Sequence, residues 1–205
     1  RKRKEAEEII VKSKAGTDLK AYNRGRKVRL SGQKATQKSY PIMLAGQISW
    51  CPVEETIEGK LVFDGAMWPP LEVGKLYSNV ELVLKEGVVT EITGGNDAMK
   101  AKAWFEALND PNVYRLAHYS LGFNPGVTAI TGRIVEDERV FGCMEFGIGS
   151  QGASIMGKQW NAAWHTDGVV LNPTIILDGK EFEVDGEYID SDVREICKQL
   201  GVKGY

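Results

Sequence analysis

Glycines at turns between short strand-like segments constrain the fold of this chain more than any other feature. The sequence has 23 glycines in 205 residues, and several follow an acidic residue at the end of an apolar stretch. Glu86-Gly87 and Asp178-Gly179 predict hairpin turns, and Asp185-Gly186 predicts a further turn. Because hairpins join antiparallel neighbours, we expect an α+β fold of mostly antiparallel sheet with a few flanking helices.

Three segments have helical patterns. Residues 1–15 carry a near-helical apolar stripe, and Gly16 predicts its end. A last short helix begins after Ser191 as N-cap and ends at Gly201. The clearest helix lies within residues 95–111, where one face holds Ala98, Ala101, Trp104, Phe105 and Leu108.

Composition excludes several classes of function. The formal net charge of −2 gives no electrostatic reason to bind nucleic acid or an anionic membrane. No apolar stretch reaches the roughly 18 residues of a membrane span, and a signal peptide's apolar region is missing. The three scattered cysteines indicate neither a disulfide framework nor a CxxC zinc site, so we expect a cytoplasmic protein.

The length and the absence of repeats or low-complexity linkers predict one domain over residues 1–205. The chain begins without an initiator Met. We interpret it as the C-terminal part of a longer polypeptide.

One apolar strand-like run, at residues 161–172, contains His165 and Asp167. Residues two apart in a strand project from the same face, and a buried carboxylate needs a cation, a metal or several donors. The only other histidine, His118, also lies in a strand-like segment. Two histidines and one carboxylate form the facial triad of non-haem Fe(II) oxygenases, although HxD alone is a weak pattern. A core histidine bonded to the backbone is the alternative.

Other polar residues stand in unusual surroundings. Glu54 and Glu55 precede a strand, and only one of the two is expected to face inward. Glu145 stands among large apolar residues and needs a partner, whereas Ser150 and Gln151 follow in a glycine-rich loop that could bring donors to a ligand. Arg133 and Arg139 could neutralise Glu145 or bind an anionic substrate, but surface charge is the preferred explanation for both. For the segment with Glu54 and Glu55, the alternative is a solvated acidic turn. For the segment with Glu145, Ser150 and Gln151, it is an ordinary glycine-rich turn.

The order of five motifs resembles the thermophilic metallo-aminopeptidase (aminopeptidase T) superfamily, from about Gly16 to Tyr188. The motifs are "GTDL", "PVEETIEGKLVFDG", "LAHYSLGFNPG", "FGCMEFGIGSQ" and "WHTDGVVLNPTIILDG". The resemblance implies the C-terminal metal-binding domain of an aminopeptidase T-like fold, in proteins that are longer at the N-terminus. His118 stands where the aminopeptidases have a metal-binding glutamate, and Glu145 stands where they have a histidine. These exchanges resemble the branch of 2,5-dihydroxypyridine 5,6-dioxygenases, which act in nicotinate degradation.

The resemblance implies an Fe(II)-dependent, extradiol-type ring-cleaving dioxygenase acting on a dihydroxylated pyridine or similar aromatic. The reaction would be of the 2,5-dihydroxypyridine to N-formylmaleamate type, with O2 as co-substrate and a homo-oligomer as the expected assembly. The resemblance implies His118, His165 and Asp167 as Fe(II) ligands and Ser150 as a substrate contact. We also expect Glu55 and Glu145 to act as catalytic groups that orient the histidines or move protons, and Gln151 and Arg133 to contact the substrate. The alternatives are an aminopeptidase with a binuclear Zn or Co site and a non-catalytic homologue.

Overall fold

The computed structural model describes residues 6–31, 44–68, 76–152 and 157–205. Within them the chain forms fourteen strands, three α-helices and two short 3₁₀ turns. The strands are β1 Glu8–Lys12, β2 Asp18–Tyr22, β3 Arg29–Ser31, β4 Gln47–Trp50, β5 Glu58–Phe63, β6 Ala66–Met67, β7 Val80–Lys85, β8 Val88–Gly94, β9 Leu116–Gly122, β10 Met144–Gln151, β11 Trp160–Val170, β12 Thr174–Leu177, β13 Lys180–Val184 and β14 Glu187–Tyr188. The helices are α1 Asn96–Ala107, α2 Ile134–Asp137 and α3 Ser191–Gln199, and the 3₁₀ turns are Glu54–Thr56 and Pro111–Tyr114.

The strands form two sheets. An eight-stranded sheet has the order β14-β13-β12-β1-β2-β5-β7-β8, and a six-stranded sheet has the order β3-β4-β9-β10-β11-β6. Every ladder between these strands is antiparallel. The prediction of a mostly antiparallel α+β fold is therefore confirmed.

Aromatic side chains from both sheets meet in one buried cluster. Phe63 of β5 lies 6.4 Å from Phe146 of β10, measured between ring centroids. Tyr119 of β9 packs edge-on against Phe146 at 4.8 Å and against Trp50 of β4 at 5.8 Å. Odd and even residues of these strands face opposite sides, so Tyr119 and Phe146 point into the core while their neighbours His118 and Glu145 face away from it.

The turn predictions agree with the structure. Glu86-Gly87 joins β7 to β8 with φ values of 50° and 75°, and Asp178-Gly179 joins β12 to β13 with 49° and 76°. Positive φ at both positions defines the type I′ turn, whose twist matches antiparallel strands. Asp185-Gly186 likewise separates β13 from β14.

The predicted helix over residues 1–15 is wrong within the described residues, because β1 is a strand there. Ile9 and Val11 are buried while Ile10 between them is only half-buried, which is the two-residue period of a strand. The run Ile9 to Val11 is β-branched, and β1 is paired on both sides, by β2 and β12. Residues 1–5 lie outside the described part of the chain.

The other two helix predictions hold, with one change of detail. Helix α1 buries Ala98, Ala101 and Phe105 as its pattern predicts. Helix α3 is capped by Asp190, whose side chain accepts hydrogen bonds from the backbone N–H groups of residues 192 and 193; the expected N-cap, Ser191, is its first residue. No helix in the described ranges combines the length and the apolar character needed to cross a membrane.

Candidate metal centre

Strand register brings the two histidines and the aspartate together. Strand β10 lies between β9 and β11, and Gly147 of β10 is paired with His118 on one side and with Asp167 on the other. Gly149, two residues further along β10, is paired with His165. The three side chains therefore project from the same sheet face on both flanks of a glycine-containing central strand.

The potential ligand atoms of these side chains converge on one point. Nε2 of His165 lies 3.0 Å from Oδ1 of Asp167, and Nε2 of His118 lies 3.8 Å from the same oxygen. The imidazole rings are nearly parallel, with 8° between their planes and 5.3 Å between centroids. One ligand atom from each residue lies within 4.8 Å of the others. Ligands at about 2.1 Å from a metal and at right angles to one another are roughly 3 Å apart, so a small closure around an ion completes the site.

Gly147 makes room for both imidazoles. A Cβ atom built on this residue would overlap the ring of His118 and would lie 2.8 Å from Cε1 of His165. No larger residue fits without displacing at least one ring. The glycine-rich sequence around residue 147 is thus explained by a close approach of two side chains to the backbone.

A backbone carbonyl fixes the tautomer of His165. Nδ1 of this ring lies 2.8 Å from the carbonyl oxygen of Ser150, which can only accept a hydrogen bond. The neutral ring therefore carries its proton on Nδ1 and turns a bare Nε2 toward the carboxylate of Asp167. Two acceptors 3.0 Å apart repel unless a cation lies between them, either a proton or a metal ion.

The charges of the cluster shift its pKa values in opposite directions. Burial lowers the pKa of His118, and the negative charge of Asp167 only partly offsets this. Burial also opposes charging of His165, but the hydrogen bond and charge of Asp167 raise its pKa overall. Burial works against the Asp167 carboxylate as well, yet the hydrogen bond from His165 and the charges of both histidines lower its pKa to about 2.

Glu145 is fully buried beside the triad. Its Oε1 lies 3.1 Å from Nε2 of His118 and has no hydrogen bond of good geometry within the described residues. Burial, together with the charge of Asp167, raises the pKa of Glu145 well above its usual value. Burial and the nearby charges of Glu145 and Asp167 likewise raise the pKa of Glu138 to about 8.

The donor set fits a divalent transition metal. Among the described residues, the carboxyl groups of Glu138, Glu145 and Asp167 lie near one fully buried guanidinium, that of Arg139, so a divalent cation would favour their charged forms. Imidazole nitrogen and carboxylate oxygen are ligands that suit Fe, Zn and related ions. The bare Nε2 of His165 and the unsatisfied Oε1 of Glu145 face this position.

Of the predicted acidic pair, Glu54 faces inward. Its side chain is 4% exposed, forms an ion pair with Arg26 at 2.5 Å and accepts a hydrogen bond from the backbone N–H of Lys158 at 2.6 Å. Glu55, which we expected to act as a catalytic group, is 53% exposed and pairs with the side chain of Lys158. Its catalytic role stays a prediction, and its surface position gives that role no support.

The predicted substrate contacts are dispersed. Oγ of Ser150 bonds to the backbone of Ala162 at 3.0 Å, so the serine acts on the triad through its carbonyl rather than its hydroxyl. Gln151 is buried near Cys51 and Glu54. The side chain of Arg133 is 77% exposed and pairs with Glu136. Substrate binding by these residues stays a prediction.

Sequence patterns did not single out two residues beside the site and misplaced a third at the surface. Gln47 and Glu138 reach the cluster, and Arg139, which the sequence suggested as surface charge, is fully buried. Only the apolar neighbours of Arg139 in "RVFGCM" hinted at its burial. Gln47 and Glu138 carry no local signal, because distant strands and a loop bring them in.

An apolar cluster adjoins the triad on the same face of β11. Val169 follows Asp167 by two residues, and the backbone N–H of Trp68 donates to the carbonyl of Asp167 at 3.3 Å. The members of the cluster are Val140, Cys143, Val169, Trp68, Val127, Ile130 and Leu171.

The fold and this cluster define an antiparallel α+β protein with a candidate mononuclear metal site of two histidines and one aspartate. Comparison with known proteins extends the assignment. Residues 1–190 match the NicX family, described as 2,5-dihydroxypyridine 5,6-dioxygenase, and the chain belongs to this family.

Individual relatives agree with the family. The 2,5-dihydroxypyridine 5,6-dioxygenase of Pseudomonas putida KT2440 is 26% identical over 199 residues, which cover 91% of this chain and 55% of that protein. A solved structure of 2,5-dihydroxypyridine dioxygenase from the same organism superposes with a TM-score of 0.73 at 23% identity, over 93% of this chain and 57% of that chain. AmpT of Thermus thermophilus superposes with a TM-score of 0.70 at 15% identity, over 92% of this chain and 51% of that chain. The fold predicted from the aminopeptidase resemblance is confirmed, and the chain spans about half the length of these relatives.

Proposed function

We propose that this chain provides the Fe(II) site of a ring-cleaving dioxygenase for a dihydroxylated pyridine, with 2,5-dihydroxypyridine as the reference substrate. The observation that carries the proposal is the convergence of His118, His165 and Asp167 on one point. Family membership supports the reaction class. The proposal also includes O2 as co-substrate and a product of the N-formylmaleamate type, in which both oxygen atoms are retained.

The triad side chains would hold the ion from one side. All three arise from β9 and β11, so the opposite coordination positions point away from the sheet, where a substrate has access. When bound, Fe(II) would supply the one-electron chemistry that makes O2 reactive toward an electron-rich ring. His165, whose side chain is 34% exposed, marks the more open side of the triad, whereas Asp167 is 9% exposed.

The chain's own residues would orient the substrate and handle protons. The apolar cluster that contains the buried Val169 would help to exclude water beside the triad. Glu145, beside His118 and with a raised pKa, would hold a proton at its carboxyl within reach of the ligand set. A ring hydroxyl that loses its proton on binding would find an acceptor network in this direction.

Oxygen uptake tests the proposal. The purified protein would be loaded anaerobically with Fe(II), the bound iron counted, and 2,5-dihydroxypyridine and O2 supplied. We expect about one bound iron per chain and equal consumption of O2 and ring compound. Asp167→Asn keeps the side-chain shape and removes the charge, so it should lose both the iron binding and this consumption. Asp18→Asn, an exposed carboxylate on β2, is the matched control and should behave as the unchanged protein.

Other outcomes separate the alternatives. One bound iron without ring cleavage would remove the substrate assignment and leave the metal site standing. Two equivalents of Zn or Co with peptide hydrolysis would assign the protein to the aminopeptidase branch, which the similarity to AmpT keeps as the second candidate. The absence of any bound metal would favour a non-catalytic homologue.

A further inference from the structure

A chain of polar side chains runs from the triad to Arg139 through the half-buried Gln47. Gln47 is the first residue of β4 and is paired with Gly122 at the end of β9, the strand that carries His118. Its side-chain amide lies between two buried carboxylates: Nε2 is 3.0 Å from Oε2 of Glu138 and 3.3 Å from Oε2 of Glu145. The two N–H groups of one amide can thus serve one carboxylate each.

Arg139 fixes the orientation of this amide. Its Nη2 donates to Oε1 of Gln47 at 3.3 Å, and because a guanidinium can only donate, the amide oxygen must face Arg139 and the amide nitrogen must face the carboxylates. The guanidinium itself is fully buried. It is held by the carbonyls of Leu44 (2.7 Å) and Val135 (2.6 Å) and by Glu138 at 3.0 Å.

The carboxyl group of Glu145 connects this chain to the metal ligands. Its Oε2 is the atom near Gln47, and its Oε1 lies 3.1 Å from Nε2 of His118. Glu145 also contacts the side chains of Ser120 and Asp167. The orientation of the Glu145 carboxyl therefore depends on Gln47, which lies beside its Oε2. The same orientation affects two of the three ligand side chains, those of His118 and Asp167.

We propose that Gln47 is a positioning residue for the metal centre: anchored by Arg139, it orients the carboxyl of Glu145 against His118 and Asp167 and so shapes the ligand geometry. The inference rests on the proposed function, because it presumes a metal at the triad. Groups outside the ligand set that orient the ligands typically affect metal affinity by about 10–100-fold. Gln47 makes no contact with the ion itself and acts only through Glu145.

Metal titration tests this role with Co(II) as the probe. We expect Gln47→Leu, which keeps the approximate volume and removes both N–H groups, to bind Co(II) about 10–100-fold more weakly and to change the visible absorption of the bound ion. Gln47→Met is the second variant, should the leucine variant fail to fold. It also lacks both N–H groups and adds no charge, so it should weaken binding similarly. Gln199→Leu, an amide on the exposed face of α3, is the matched control and should leave both readouts unchanged.

If Gln47 contributed only to the packing of the fold, the metal titration would have a different result. Loss of packing alone would lower the melting temperature of the metal-free protein, yet the folded fraction would keep the Co(II) affinity and spectrum of the unchanged protein. That result, in either Gln47 variant, would overturn the inference. Failure of the proposed function is distinguishable, since the unchanged protein would then bind no Co(II), or Asp167→Asn would bind it equally well. The readouts are properties of the metal centre and do not depend on which ring is the substrate.

Discussion

The outer strands of the eight-stranded sheet and the central strands of the six-stranded sheet are connected in different ways. β7 and β8, and β12 and β13, are joined by two-residue turns, so their partners are close in sequence. β4 and β9 are paired although Gln47 and Gly122 lie far apart in the chain, and a long segment with helix α2 separates β9 from β10. The β7–β8 hairpin is specified locally and its buried residues are apolar, whereas the second region depends on distant contacts and buries charge.

The comparison shows which of the two regions buries charged side chains at a cost in stability. Buried residues of β7 are apolar, including Val80, Leu82 and Leu84, and they contribute to the hydrophobic core. The face of β9 and β10 that carries the site buries Glu145 and places it beside the metal ligands, an arrangement that is costly without a cation. Three predictions test whether stability and metal binding separate between the two regions in this way.

The largest expected effect is on metal binding, from Gly147→Ala. The added methyl overlaps the ring of His118 and crowds that of His165, so we expect metal affinity to fall by more than about 100-fold. Co(II) or Fe(II) titration measures it. Gly152→Ala, where a new methyl meets nothing within 4 Å, is the control. Unchanged affinity in Gly147→Ala would show that the imidazoles bind metal in some other arrangement.

A core substitution in the other sheet should have the opposite profile. Leu82 of β7 is fully buried, and Leu82→Ala should lower the free energy of unfolding by about 2–5 kcal/mol through lost burial and a residual cavity. Denaturant unfolding measures this loss. Metal affinity of the folded protein should be unaltered, and a matching decrease in affinity would mean that the two regions are coupled rather than separate.

The smallest expected effect, counted for any single pH unit, is on the stability of the metal-free protein as pH changes. Because the pKa of Glu138 is raised to about 8 when folded, the native state holds a proton that the unfolded state releases near 4.5. The stability contributed by this group is therefore full below about pH 4.5 and is lost as pH rises toward 8, at up to about 1.4 kcal/mol per pH unit.

Thermal unfolding across that pH range, in the presence of a chelator, is the measurement. Glu138→Gln cannot take up the proton and should show a shallower decline than the unchanged protein. An identical slope in both proteins would assign the decline to Glu145 or to another group.

Local chemistry made part of this structure predictable. Residues that are close in sequence determine the two-residue turns at Gly87 and Gly179 and the apolar face of α1. The structure has each of these features where it was predicted. The N-terminal strand was mistaken for a helix because three consecutive apolar residues fit both periods. Pairing with β2 and β12, which no local pattern reveals, decides in favour of the strand.

The candidate site was predictable only where its residues are close in sequence. His165 and Asp167 share one strand, so their spacing alone indicated a common face. His118 was added through its residue type and the family resemblance, and the register with Gly147 explains its position. Gln47 and Glu138 were missed because long-range strand pairing and a buried loop bring them to the site. Arg139 was considered as a partner of Glu145, but surface charge was the preferred explanation, whereas the structure buries it fully.

The bond from Nδ1 of His165 to the carbonyl oxygen of Ser150 has a consequence for evolution. Because the acceptor belongs to the main chain, every amino acid at position 150 supplies it, provided that the strand keeps its course. Homologues could therefore differ freely at this position and still hold the imidazole in the same tautomer. A position essential to the site would then look variable in an alignment, while Gly147, which contributes no side chain at all, would look invariant.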